Sequence, residues 1–252
     1  MDRGEATFRY ALRLGDDALV LGQRLGEWCG KAAALEIDLA LANLGLDLIG
    51  QATFLLGYAG EIEGKGRDAD RLAFHRDVMD FSNCLLVEQP NGDFARTIAR
   101  QFLFSAWRAP LFEAISTSPD ETLAAVAKKA LKETAYHLRY SREWTVRLGD
   151  GTDESRRRLV EALEWCWRFV DELFEPDEVT RVLAPANIAP DPATLRARFD
   201  EEVDKTLGEA GLDRPAARRA VVGGRAGRHS EHLGHLLAEM QFLPRAYPEA
   251  RW

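Results

Sequence analysis

One stretch constrains the fold of this chain more than any other: LEIDLALANLGLDLIGQA, residues 35–52. It is apolar except at Glu36, Asp38, Asn43, Asp47 and Gln51. An α-helix advances about 100° per residue. Glu36, Asn43, Asp47 and Gln51 then fall on one narrow strip, while Leu39, Leu41, Leu44, Leu46, Leu48 and Ile49 cover most of the remainder. A helix that is apolar nearly all round belongs inside a protein, so the strip is expected to face other helices rather than water. Carboxylates in such a place need hydrogen bonds, cations or a metal.

Helical periodicity continues along the chain, with candidate helices near 6–27, 34–62, 70–87, 93–117, 119–148, 154–174, 192–208 and 228–245. No stretch alternates as a strand does. The breaks carry turn chemistry, as in GKGRDAD at 64–70, EQPNGD at 88–93, LGDGTD at 148–153 and APANIAPDP at 184–192. Ser118, Pro119 and Glu121 read as a capping box, Asp191 before Pro192 reads as an N-cap, and Pro110 is expected to kink or end its helix. Two long helices, a crossover at 70–87 and two more long helices predict an all-α, ferritin-like antiparallel four-helix bundle with additional C-terminal helices. No linker demands a second domain, so residues 1–252 are expected to form a single one. Bundles of this kind commonly hold two metal ions between Glu residues of two helices and Glu-x-x-His motifs of the others.

The ligand pattern is missing. The residues three before His75, His137, His229, His232 and His235 are Leu72, Thr134, Ala226, His229 and His232, so neither Glu-x-x-His nor Asp-x-x-His occurs. Glu36 and Asp47 are separated by about 16 Å of helix rise and cannot share an ion. The near misses are Asp47, with Gly50 where a histidine would stand, and His137, with Thr134 where a glutamate would stand. Glu133 lies one turn before His137. The expectation is a buried polar network of Glu36, Asn43, Asp47, Gln51, Glu133 and His137, with no metal, catalytic or cofactor-binding residues in this chain.

Composition narrows the setting. The 33 basic and 41 acidic residues give a formal charge of -8 and a pI near 5.3, against a general nucleic-acid binder. Cys29, Cys84 and Cys166 are widely separated and form no C-x-x-C pair. The N-terminus lacks an apolar signal core, and the uncharged run from Leu48 to Gly60 is shorter than the ~18 residues of a membrane span. A cytoplasmic protein without membrane or nucleic-acid partners is expected.

Six segments together carry a resemblance: RLGEWCG, LEIDLALANLGLDLIGQA, FSNCLLVEQPNGDFA, YHLRYSREW, LGDGTDES and HSEHLGHLLAEMQFL. They resemble the C subunits of bacterial phenylacetyl-CoA 1,2-epoxidase, the ring-hydroxylating phenylacetate-CoA oxygenase, over nearly the whole chain. The resemblance implies a ferritin-like, structural, non-catalytic subunit of a multicomponent di-iron monooxygenase of phenylacetate catabolism. It implies a catalytic di-iron partner subunit that epoxidises the ring of phenylacetyl-CoA. It also implies other small subunits, a reductase carrying electrons from NADPH through flavin and iron-sulfur centres, and a homodimer for the chain in isolation. Asp47 with Gly50 and Thr134 with His137 would then be the remains of the partner's two ligand motifs.

Two other classes stay open. An autonomous metalloprotein would use His229, His232 and His235, although His229 and His235 are about 9 Å apart by helix rise alone. On that helix His229 is expected along the apolar line of Leu233, Leu236 and Met240. A helical scaffold with other partners would share the metal-free core. The segment DRPAARRAVVGGRAGR, 213–228, is the most basic in an acidic chain. Its Arg218, Arg219, Arg225 and Arg228 are candidates for a contact with an acidic partner or with the phosphates of CoA.

Overall fold

The computed structural model describes residues 1–216, 219–248 and 250. Among them there is no strand, and the chain is all-α. It divides into two compact units, residues 1–90 with 223–252, and residues 91–222.

The first unit is built on helices α1 (Arg3–Gly26) and α2 (Leu35–Glu63). Asp2 caps α1 by accepting from the Glu5 N–H at 2.8 Å, and Gly64, at φ 67°, ends α2 in the left-handed region that glycine tolerates. The two helices run antiparallel, since Gly15 meets Leu56 while Gly22 meets Gly45 and Ile49. A Cβ on Gly22 would lie 3.2 Å from the Gly45 carbonyl oxygen, and one on Gly45 would lie 3.3 Å from that of Gly22. Glycine at both positions lets the backbones approach there. By length and composition α2 could cross a membrane, yet it forms half of this hairpin and buries Leu41, Leu44, Leu48, Leu55 and Leu56 against it. Short helices α3 (Ala69–Phe74) and α4 (Leu85–Glu88) follow.

The second unit centres on α5 (Phe94–Ile115) and α6 (Glu121–Gly149), also antiparallel, as the Phe94 ring meets Trp144 edge-on at 4.9 Å. Asp93 caps α5 and Asp120 caps α6 through the N–H groups of Arg96 and Leu123. Helices α7 (Asp153–Trp167), α8 (Glu178–Leu183) and α9 (Arg196–Glu209) complete this unit. The chain then returns to the first unit with α10 (Glu231–Ala246).

The long helices lie where periodicity places them, and Asp191 caps its 3-10 turn as expected, accepting from the Ala193 N–H. Three details differ. The crossover at 70–87 is not one helix: α3 ends at Phe74, a 3-10 turn spans Val78–Asp80, and α4 begins only at Leu85. Ser118 does not cap α6, because its hydroxyl donates to the Ile188 carbonyl and accepts from the Asp120 N–H, which leaves Asp120 as the cap. Of the kink or end expected at Pro110, the end does not occur, since α5 continues to Ile115.

Candidate functional site

Burial does not follow the α2 strip. Glu36 and Asn43 are exposed, Asp47 and Gly50 are half-buried, and only Gln51 is buried. The reason lies in the leucines around them: Leu35, Leu39, Leu46 and Phe54 are 70%, 56%, 68% and 51% exposed, so one apolar face of α2 is left uncovered. Glu36 and Asn43 border that face and do not belong to a buried network. At Gly50 an added Cβ would meet nothing within 4 Å, so the absence of a side chain there is not a packing demand.

On α6, Thr134 and His137 are buried and Glu133 is half-buried. They begin a polar line that continues through Ser141 and Thr145. The Ser141 hydroxyl donates to the His137 carbonyl at 2.7 Å, and the Thr145 hydroxyl to the Ser141 carbonyl at 2.8 Å. Helix α5 buries Thr97, Gln101 and Ser105, with the Gln101 amide donating to the Ser105 hydroxyl at 2.9 Å. Sequence reasoning missed Gln101, although an amide inside RQFLFSAW is the same kind of signal as Gln51. Among the described residues no group of three His, Cys, Asp or Glu side chains could hold a metal ion.

The densest polar site is one the sequence did not reveal. Adjacent on α1, Asp16 and Asp17 are fully buried, as is Glu88 at the end of α4. Asp16 accepts from both terminal nitrogens of Arg76, and from the Ser82 N–H at 2.9 Å and hydroxyl at 3.2 Å. Asp17 accepts from Arg225 at 2.9 and 2.8 Å and from the Cys84 N–H at 2.8 Å. Glu88 accepts from the Asn83 amide at 3.0 Å and the Ser230 N–H at 2.6 Å, and lies 2.7 Å from His229 Nδ1.

His229 Nε2 lies 2.9 Å from the Phe81 carbonyl, so the protonated ring can donate from both nitrogens, to Glu88 and to Phe81. Burial opposes the charge, but the Glu88 carboxylate and the Phe81 carbonyl outweigh it and raise the His229 pKa above its ordinary value. Arg24 adds bonds to the Glu88 carbonyl at 2.9 Å and the His232 carbonyl at 2.9 Å. Gly224 lets the returning chain pass close, since a Cβ there would stand 2.3 Å from the Asn83 carbonyl oxygen.

Comparison with known proteins places this architecture. The family described as phenylacetic acid catabolic protein matches residues 2–252. The C subunit of the 1,2-phenylacetyl-CoA epoxidase of Escherichia coli (strain K12) is 55% identical over 243 residues, which covers 96% of this chain and 98% of the relative. The chain belongs to the phenylacetic acid catabolic protein family.

In this family member the C-terminal histidines do not converge. His229 precedes α10 instead of lying on it, and it turns to Glu88 and not along the Leu233, Leu236 and Met240 line. His232 is half-buried and His235 exposed. Of the arginines in 213–228, Arg225 is committed to Asp17 and to the Ser82 carbonyl at 3.0 Å, so its guanidinium is not open to a partner or to CoA. Arg219 and Arg228 are exposed, and Arg218 lies outside the described residues.

Proposed function

We propose that this chain is the structural, non-catalytic subunit of a cytoplasmic, multicomponent di-iron monooxygenase that epoxidises the ring of phenylacetyl-CoA in phenylacetate catabolism. The observation that carries the reading is the 55% identity to the C subunit of a phenylacetyl-CoA epoxidase, sustained from one end of that relative to the other. In this reading a separate catalytic subunit holds the iron, and a reductase supplies electrons from NADPH through flavin and iron-sulfur centres. This chain contributes shape and support. Two features of the residues agree with it. Gly50 and Thr134 stand at the ligand positions, and α2 offers the row Leu35, Leu39, Leu46 and Phe54 to a partner subunit. An uncovered apolar row on a helix is a docking feature, and a stable complex needs upward of ~1,000 Å² of buried surface.

The test has two parts. Elemental analysis of the chain expressed alone in iron-replete medium should find no stoichiometric iron, and phenylacetyl-CoA turnover by the reconstituted system should require the chain. About two iron atoms per chain, or undiminished epoxidation in its absence, would overturn the reading. The α2 row has its own check. Leu46→Glu should abolish co-purification with the di-iron subunit while leaving the thermal midpoint of the isolated chain unchanged, because this side chain already stands in water.

A further inference from the structure

The second unit carries a cleft of about 620 Å³ lined by Arg168, Arg219, Ala220, Val221 and Val222. That volume lies within the roughly 300–1,000 Å³ of small-molecule sites. Its only charges among the described residues are the two guanidiniums, in a chain of net charge -8. Several arginines of this unit are occupied. Arg142, Arg157, Arg158, Arg196, Arg198 and Arg214 each hold a carboxylate.

Arg168 and Arg219 hold none among the described residues. Arg168 is instead kept against two rings, 5.2 Å from the centre of Trp165 and 5.8 Å from that of Phe169. Arg96 lies 4.9 Å from the same indole and adds to the local positive potential. The Val221 N–H donates to the Arg168 carbonyl at 2.8 Å, which ties one wall of the cleft to the other. A guanidinium fixed by stacking loses little freedom on binding, and its planar fork matches phosphate oxygens.

We propose that this cleft binds the phosphate groups of a coenzyme A thioester, with Arg168 and Arg219 taking the phosphate oxygens beside the apolar Val221 and Val222 wall. The phosphate chemistry rests on the cleft. The choice of coenzyme A rests on the reading of this chain as part of an epoxidase.

Calorimetric titration of the full chain with coenzyme A, with pantetheine and with pyrophosphate tests it. Coenzyme A should bind, more weakly as salt is raised. Pantetheine, which lacks the phosphates, should not, and pyrophosphate should compete. Arg219→Gln, at an exposed position, should weaken coenzyme A about tenfold or more, and Arg168→Gln with Arg219→Gln should remove binding. Both proteins should melt as the parent does and still co-purify with the di-iron subunit, which separates failure of the cleft from failure of assembly. Equal affinity for pantetheine, binding of pyrophosphate without coenzyme A, or unchanged affinity in Arg219→Gln overturns the proposal.

Discussion

The first unit closes around Asp16, Asp17 and Glu88, three fully buried carboxylates, each faced by a cation, whereas α6 of the second unit buries Thr134, His137, Ser141 and Thr145. The first arrangement joins residues far apart in sequence: Arg76 to Asp16 across 60 positions, and Arg225 to Asp17 across 208. The second is local, since the Ser141 and Thr145 hydroxyls bond to carbonyls one turn back on their own helix. The chain path explains the difference. The second unit is one continuous segment, while the first must recapture residues 223–252 after a long excursion. Paired charges do this with directional bonds whose register is fixed, because an unmatched carboxylate in that core is strongly disfavoured.

The sharpest way to break this comparison is to orphan one buried charge. Asp17→Ala leaves Arg225 facing an empty place, and the loss should be about 3–5 kcal/mol in urea denaturation. The paired change Asp17→Ala with Arg225→Ala should be less harmful than the sum of the single ones, as expected for groups that act together. A loss below about 1 kcal/mol for Asp17→Ala, the range of an exposed pair, would mean that the ionic core does not hold the returning segment.

A pH titration of stability comes next in size. The folded state holds the His229 proton more tightly than the unfolded chain does, because its pKa is raised. Its contribution is therefore fully present below the ordinary imidazole value of about 6.5, and it is lost as pH rises through the folded-state value. Deprotonation leaves one ring nitrogen facing an acceptor without a proton, which costs on the order of 1–3 kcal/mol. Denaturation midpoints should decline across that window in the parent and stay flatter in His229→Gln. Equal slopes for the two proteins would show that His229 is not the group that titrates.

Much of the fold was legible because long amphipathic helices write their period into the sequence, and α1, α2, α5 and α6 follow it closely. The crossover was not. Its apolar spacing reads as helix, yet the Ser82 and Cys84 N–H groups and the Phe81 carbonyl are turned toward Asp16, Asp17 and His229, and a continuous helix would have consumed them. The site was misjudged for a related reason. Acids in an apolar helix drew attention to α2, where Glu36 is exposed, and the same argument applied to GDDALVLG would have found Asp16 and Asp17. Their partners lie outside any local window, so a single sequence shows the carboxylates but not what answers them.

The smallest expected effect tests the other half of the comparison. Ser141 is fully buried, so a view based on burial alone would expect its removal to be costly. Its hydroxyl, however, donates to the His137 carbonyl and approaches that of Leu138 at 3.2 Å, both within the helix that carries it. Such back-bonding satisfies the hydroxyl without adding a tertiary tie, and it competes slightly with the helix's own ladder. Ser141→Ala removes donor and hydroxyl together and leaves those carbonyls their helical partners. The change should therefore stay within about 0.5–1 kcal/mol, well below Asp17→Ala in the same assay. Thr145→Val should behave alike, since its hydroxyl bonds to the Ser141 carbonyl at 2.8 Å, one turn back on the same helix. If either variant approached the loss seen for Asp17, the α6 line would be making tertiary bonds of the kind that hold the first unit together, and the contrast between the two units would fail.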